Sequence, residues 1–418
     1  MSLQFDRSNP LAFETPSNAI LTARLPAPKT RVVVVRHGRS TYNEQGRYQG
    51  SSDEAVLTEN GRATARQVGM SLKGVSVDVV YTSPLQRARE TVREILTAMG
   101  TAANEIPVRT CESLREIDLP AWQGRFFQEV RKQFADDYRC WKQRPHEFQM
   151  PVRTDAFPED TSGSSETVSI DRDICFPVVE LYERVQRFWQ DVLPRHSGQT
   201  LLVVGHGGTN HALVSTAIGL PPACHHRLQQ SNCGVSVLDF SRGSLRLAQL
   251  QALNLTTPFG EMLPKLKEGK QGLRMLLVPS DGMQSDRIRL LAECFRSTSI
   301  DFGICDDRAD SQSIAAELQI DRANGIRFQG FPKKTLQASP KILATQNHRS
   351  TSLVTGLAIA HSSAIKRLLG EAIDLPATQL WRLDLQPGTF STLHYPSIEH
   401  PPILQALNIA PNQRLAGF

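Results

Sequence analysis

Residues 31 to 43 read RVVVVRHGRSTYN, and the four consecutive valines at 32 to 35 decide how the rest of the chain is taken. A β-branched run of that length, bounded by polar residues, predicts a strand buried on both faces, as inside a parallel sheet. The run stops at Arg36, His37 and Gly38. A cation, an imidazole and a glycine at the carboxyl end of such a strand stand where open α/β sheets bind their ligands.

The same plan recurs twice. Val77 to Tyr81 reads as a second strand; it ends at Thr82-Ser83-Pro84, where Ser83 and Pro84 signal the start of a helix carrying Arg87 and Arg89. Thr200 to Val204 reads as a third, ending at Gly205-His206-Gly207-Gly208 ahead of a helix over about 210 to 218. Between these, residues 44 to 58 read as a long polar loop and about 62 to 72 as a helix. From 121 to about 176 the aromatics Trp122, Phe126, Phe127, Phe134, Tyr138 and Trp141 interleave with arginines and lysines. That stretch reads as a helical cap, followed by a Ser/Thr/Asp-rich loop at 154 to 173. The cap aromatics read as a small core, and its cations as a solvated face.

With 418 residues the chain exceeds one ordinary core. Its second half repeats the first in outline. RMLLVPSDG from Arg274 lies like RVVVVRHGR from Arg31, and AHSSAIKRLLGEAIDLP like GHGGTNHALVSTAIGLP; Pro221 and Pro376 each stand fifteen residues beyond a histidine, His206 and His361. This long-period match indicates a duplicated domain rather than a solenoid. The copy is stripped: Arg36 becomes Pro279, His37 becomes Ser280 and Arg87 becomes Asp310, and the cap is missing. The organisation expected is an extended, proline-bearing arm over 1–29, a catalytic domain over 30–250 with its cap at about 120–176, a linker over 251–272 containing KLKEGK, and a degenerate, non-catalytic domain over 273–418.

Composition narrows the function. A net charge of +5 with 21% charged residues and no basic block argues against nucleic acid, and it suits a small anionic ligand held in a local positive pocket. No apolar stretch is long enough to span a bilayer. Seven cysteines, scattered and without a CxxC pair, fit neither a zinc site nor a disulfide framework and point to the cytoplasm. The sequence carries no signal for a cofactor, a metal or an oligomeric state. His211, His225 and His226 are expected at the surface or behind the catalytic groups.

Two histidines and two arginines at three strand ends suit one task, holding and attacking a phosphoryl group: guanidinium forks match phosphate oxygens, and imidazole is a nucleophile near neutral pH. RHGRSTYN, LTENGRATA, TSPLQRARET, LREIDLPAWQG and VVGHGG, in that order over roughly residues 30 to 240, resemble the histidine phosphatase, or phosphoglycerate-mutase-like, superfamily. The resemblance implies a three-layer α/β/α sandwich with a mostly parallel sheet, here duplicated with a degenerate second copy. It implies His37 as the nucleophile that forms a phosphohistidine, Arg36, Arg87 and His206 as groups on the phosphoryl oxygens, and Glu116 as the acid, with Glu112 and Asp118 close by in sequence. Asn43, Gln49 and Gly207 fall at substrate-binding positions. It implies neither metal nor cofactor.

Mutases of this family follow the acid with arginine and, two places on, tyrosine; here Ile117, Asp118 and Leu119 follow Glu116. That departure, with the short NEQGRYQG loop, favours a phosphatase of small sugar or sugar-acid phosphates over a phosphoglycerate mutase or a non-enzymatic phosphate sensor or scaffold. The tandem arrangement resembles, more narrowly, the 2-carboxyarabinitol 1-phosphate phosphatases of plants and cyanobacteria. They act on inhibitors of Rubisco, among which xylulose 1,5-bisphosphate is a related candidate.

Overall fold

The computed structural model describes residues 28–100, 105–151, 174–320, 328–330, 352–397 and 400–411. The expected arm, apart from its last two residues, and the loop expected at 154–173 lie outside these.

The valine run forms β1 (Lys29–Arg36), at the middle of its half of the sheet. On one side it pairs in parallel with β6 (Thr200–Gly205), which pairs with β2 (Val79–Thr82) and then β3 (Val108–Thr110). On the other it pairs antiparallel with β7 (Val235–Ser241), which leads to β8 (Ala248–Leu255). Strand periodicity of two sends Val32 and Val34 to one apolar cluster and Val33 and Val35 to the other. α2 (Glu59–Ser71) and α3 (Gln86–Met99) cover the Val33/Val35 face with Ala65, Val68, Val92 and Ile95. α6 (Pro177–Val192) and α7 (Gly207–Ile218) cover the opposite face. α6 shows why: Pro177 occupies its first turn, and Val178, Leu181, Val185, Phe188 and Val192 recur at helical spacing as a buried stripe.

Two local expectations are corrected. Thr41–Gln45, partly within the expected loop, is a short helix, α1, closed by a reciprocal capping box between Ser40 and Asn43. α3 starts at Gln86 rather than at Ser83-Pro84 and has no side-chain cap, because the Ser83 hydroxyl is turned to His206.

The cap consists of α4 (Phe127–Gln133), α5 (Ala135–Gln143) and a two-stranded ribbon of β4 (Met150–Pro151) and β5 (Ile174–Cys175). Trp122 is its centre, with Phe148 at 4.9 Å and Trp141 at 5.9 Å between ring centroids.

The second unit runs β9 (Gly272–Pro279), α8 (Ser285–Arg296), β10 (Phe302–Cys305), α9 (Ala309–Ile320), β11 (Phe328–Gly330), β12 (Leu353–Ala360), α10 (Ser362–Ile373), β13 (Phe390–Tyr395) and β14 (Ile403–Ile409). Its strand order, β11-β10-β12-β9-β13-β14, mirrors β3-β2-β6-β1-β7-β8, and the halves join through β14 and β8 into one sheet of twelve described strands. The architecture is therefore a three-layer α/β sandwich, duplicated, with both copies sharing a single sheet. β8 occupies residues where the first domain was expected to end and the linker to begin. Leu250, Leu253 and Leu255 are fully buried there, and Leu253 faces Leu407 of β14. Among the described residues no helix is long and apolar enough to cross a membrane.

Candidate active site

Three strand ends of the first unit converge. His37 follows β1, Arg87 lies in the first turn of α3 after β2, and His206 follows β6 at the start of α7. The rings of His37 and His206 are 5.1 Å apart, and both side chains are essentially inaccessible to solvent. The turn carrying His37 is pinned to α3, since the Gly38 amide donates to the Thr91 hydroxyl at 3.0 Å. A side chain at Gly38 would meet the Gly61 carbonyl oxygen at 2.6 Å, so only glycine fits this turn.

The hydrogen bonds assign the tautomers. His37 Nδ1 lies 2.7 Å from the Gly38 carbonyl, which can only accept, so Nδ1 carries the proton and Nε2 the lone pair. His206 Nε2 lies 2.7 Å from Ser83 Oγ, which itself accepts from the Leu85 amide. Donation of the serine proton to Nε2 makes His206 Nδ1 a donor. Burial, followed by the charge of Arg87, holds both pKa values well below the usual imidazole range. Both rings are neutral at pH 7.

Arg36 Nη1 donates to the Gln230 carbonyl at 2.9 Å, and Arg87 donates to the Ser52 and Gly50 carbonyls at 2.7 and 3.0 Å. Burial lowers the pKa of Arg87 to about 10, which leaves it charged. Arg36 Nε, Arg87 Nε and His206 Nδ1 are buried without a hydrogen-bond partner. Three orphaned nitrogens around one nucleophilic imidazole are costly unless an acceptor-rich anion meets them, and a phosphoryl group supplies such oxygens.

Glu116 enters from the loop after β3. Its Oε1 accepts from the amides of Ile117 and Thr209 and from the Thr209 hydroxyl, and its Oε2 from the Gly208 amide. A side chain at Gly208 would come within 2.8 Å of this carboxylate, whereas at Gly207 it would sit 3.5 Å from the Arg36 guanidinium. Gly207 therefore lines the pocket and Gly208 admits the Glu116 carboxylate. Glu112 and Asp118 stand elsewhere: Glu112 pairs with Arg115, and Asp118 accepts from Ser51 and Gln123. Asn43 and Gln49 meet at Ser40, their carbonyl oxygens 3.1 and 2.9 Å from its hydroxyl, which leaves their amide NH₂ groups as donors. Arg89 is exposed on α3.

Sequence reasoning passed over several groups. Ser83 holds His206 Nε2; Asn232 donates to the His37 carbonyl at 3.1 Å and to Asn43 at 3.0 Å; Arg184 donates to the Arg115 carbonyl at 2.8 Å beside Glu116. Lys267, in the segment read as a linker, donates to the same Gln230 carbonyl as Arg36. Ser83 stands in the TSPLQRARET block, where it reads as a helix-start signal; Asn232, Arg184 and Lys267 belong to no short motif, and only the fold brings them in.

His211, His225 and His226 are buried or half-buried rather than superficial: His225 and His226 pack against Trp141, and His211, on α7, packs against both. Among the described residues this is the one group able to share a metal ion, with ligand atoms within 4.8 Å of one another. Nitrogens on one tetrahedral zinc ion stand about 3.4 Å apart. The cluster is wider than that, and Lys142 and Lys267 face it with like charge. It is better described as an aromatic wall between cap and core.

The model of the "Histidine phosphatase superfamily (branch 1)" matches residues 32–253. An Arabidopsis thaliana protein named "Probable 2-carboxy-D-arabinitol-1-phosphatase" is 39% identical over 210 residues, 50% of this chain and 38% of its own length. The Triticum aestivum 2-carboxy-D-arabinitol-1-phosphatase is 36% identical over 263 residues, 62% of this chain and 47% of its own length. Phosphoserine phosphatase 1 of Hydrogenobacter thermophilus is 29% identical over 231 residues, 55% of this chain and 95% of its own length. The chain spans less than half the length of the two plant relatives.

Proposed function

The chain belongs to the histidine phosphatase superfamily, and from that premise we propose that it is a phosphomonoesterase acting on small phosphorylated sugars or sugar acids. The observation that carries the reading is His37: its Nδ1 proton is spent on the Gly38 carbonyl, and its neutral Nε2 stands beside three unpartnered nitrogens. Nε2 attacks phosphorus, and the bond to the leaving alcohol oxygen breaks. Arg36, Arg87 and His206 Nδ1 stabilise the charge that spreads over the equatorial oxygens. Glu116 gives the leaving oxygen its proton; as a carboxylate it then takes one from water, which cleaves the P–N bond and returns the lone pair to Nε2. No step calls on another group.

The names of the plant relatives point to 2-carboxyarabinitol 1-phosphate among sugar-acid phosphates. Ile117, Asp118 and Leu119 after the acid offer no cation or phenol to retain a bisphosphorylated intermediate, which favours release to water over mutase chemistry. The test is to incubate the purified chain, without added metal or bisphosphoglycerate, with 2-carboxyarabinitol 1-phosphate, xylulose 1,5-bisphosphate and 3-phosphoglycerate. Inorganic phosphate and 2-phosphoglycerate are both measured. Phosphate released preferentially from the sugar derivatives, and lost in His37→Ala, supports the reading. Formation of 2-phosphoglycerate would replace it with the mutase.

A further inference from the structure

A cavity of about 510 Å³ lies where three parts of the chain meet: Arg131 and Lys142 of the cap, Lys267 and Glu268 of the inter-unit segment, and Ser397 and His400 of the second unit. Its volume suits a small metabolite. Its one described carboxylate, Glu268, is taken up by Lys142 at 2.6 Å, with His400 at 3.8 Å. Among the described residues Arg131 makes one hydrogen bond, to the Tyr138 hydroxyl at 3.1 Å, and its guanidinium lies 5.3 Å from that ring's centre. Among the described residues, neither Arg131 nor Lys267 stands within ion-pairing distance of a carboxylate.

Lys267 also borders a second cavity, of about 310 Å³, with Asn232, whose amide holds the His37 carbonyl. The stem of Lys267 is exposed, yet its ammonium turns inward to the Gln230 carbonyl that also receives Arg36. A lysine on a merely solvated face would extend into water. Here the amine stands one carbonyl away from the phosphoryl-binding arginine, at the edge of a larger basic cavity; burial first and the charge of Arg36 second lower its pKa, a cost that an anion in the cavity would offset.

We propose that Lys267 and Arg131 form a subsite for a second anionic group of the substrate, a carboxylate or a second phosphate, and that the second unit walls this subsite. The proposal rests on the phosphatase reading and deepens it. The degenerate copy would then serve specificity: His400 and Ser397 close the side of the cavity opposite the cap, and the junction of the two units holds the Lys267 segment over the first unit's site.

The test compares the full-length chain with Lys267→Met and Arg131→Gln. The substrates are 3-phosphoglycerate (one phosphate, one carboxylate), xylulose 1,5-bisphosphate (two phosphates) and p-nitrophenyl phosphate (one phosphate). Removing a charge-assisted hydrogen bond to the second anionic group should lower kcat/KM for the doubly anionic compounds about tenfold to a hundredfold further than for p-nitrophenyl phosphate. The fall should come mainly through KM, with selectivity restored by Lys267→Arg. The two doubly anionic arms tell carboxylate from phosphate. Equal losses on all three substrates, or none, overturn the subsite while His37-dependent phosphate release keeps the phosphatase reading intact. Calorimetric binding of the same compounds to His37→Ala, with and without Lys267→Met, reads the subsite without turnover. Selective weakening of the doubly anionic ligands supports it, and unchanged selectivity overturns it even if the chain hydrolyses nothing.

Discussion

The carboxyl ends of β1 and β9 occupy mirrored places in the sheet, yet one reaches toward an anion and the other has supplied its own. In the first unit Arg36, His37 and Gly38 close the strand, the amides after His206 face Glu116, and buried donors stand unpartnered. In the second, Pro279, Ser280 and Asp281 close it. Asp281 accepts from the Ser362 amide at 2.6 Å, where α10 begins, and Asp306, at the position of Ser83, accepts from the His361 amide at 3.1 Å. Burial works against the Asp281 carboxylate, but hydrogen bonds from Ser362 and the nearby His361 hold its pKa below the ordinary value. Two internal carboxylates thus satisfy a helix start that would otherwise suit phosphate. His361 caps α10 through Ser363 instead of facing a nucleophile. The scaffold holds with either set of groups because strand pairing and the buried apolar faces are independent of the residues at the strand tips.

The sharpest way to break this comparison is to exchange those tips. His37→Ala should lower phosphate release by about ten-thousandfold or more, since no other group can form the phosphoenzyme. Adding Ser280→His to that variant should restore nothing, because Asp281 and Asp306 repel phosphate and no arginine stands at 279 or 310. Incorporation of labelled phosphate into the protein measures both; label recovered in the double variant would show that the second site is only a nucleophile short of function. A smaller loss, about a hundredfold to a thousandfold in kcat/KM, is expected for Arg87→Met, which removes charge from the equatorial oxygens but leaves the nucleophile. Reversing its counterpart, Asp310→Arg, should leave the rate unchanged, as Asp310 is exposed on α9.

How much of this was legible in the sequence follows from how local each signal is. The strand tips could be read because Val32 to Val35 and His37 are adjacent, and the two copies because their spacing survived. The twelve-stranded sheet could not: AQLQALNL, residues 248 to 255, alternates well enough for a strand, but its partner β14 is some 150 residues away and no turn signal links them. KLKEGK reads as a solvated linker on composition, and only the fold shows Lys267 turned toward Gln230. Glu116 could not be told from Glu112 and Asp118 by spacing, since what selects it is the close approach that Gly208 allows. The arm over 1–29, apart from its last two residues, lies outside the described residues.

The joint between the units is symmetric at the level of single residues. Asn254 of β8 and Asn408 of β14 both adopt left-handed backbone, with φ of 49° and 59°. Each donates its side-chain amide across the joint at 2.7 Å, to the Gln405 and Gln251 carbonyls respectively, and each donates its backbone N–H to a serine hydroxyl, of Ser236 and Ser391. Asparagine is among the few residues that hold this conformation at little cost. Asn254→Ala should cost about 2–3 kcal/mol in urea unfolding, from its lost bonds to the Gln405 carbonyl and the Ser231 amide and from backbone strain. Asn408→Ala should cost about 3–5 kcal/mol, since its side chain also bonds the Asp384 carbonyl, the Gln386 amide and the Thr389 hydroxyl. Because both sit in one joint, the double variant should cost less than the sum. Strictly additive losses would mean that the two halves unfold separately.

The smallest expected effect concerns pH, and it separates the units by how many imidazoles each keeps neutral. Burial lowers the pKa of His37, His206, His211, His225 and His226 in the first unit, against His394 and His400 in the second. His225 is held at about 3, by burial first and the charge of Lys142 second. In the unfolded chain a histidine takes up a proton near pH 6.5; in the folded chain His225 does not until far lower. Between these values the unfolded state binds more protons, so stability falls as the pH falls. Lowering the pH from 7.5 to 5.5 should therefore cost about 1.4 kcal/mol through His225 alone. Urea unfolding of the wild type and of His225→Gln at both pH values isolates that share: the variant, whatever its stability at pH 7.5, should lose about 1.4 kcal/mol less on acidification. An identical loss in both would place the acid sensitivity elsewhere, with the second unit's His394 and His400 the next groups to replace.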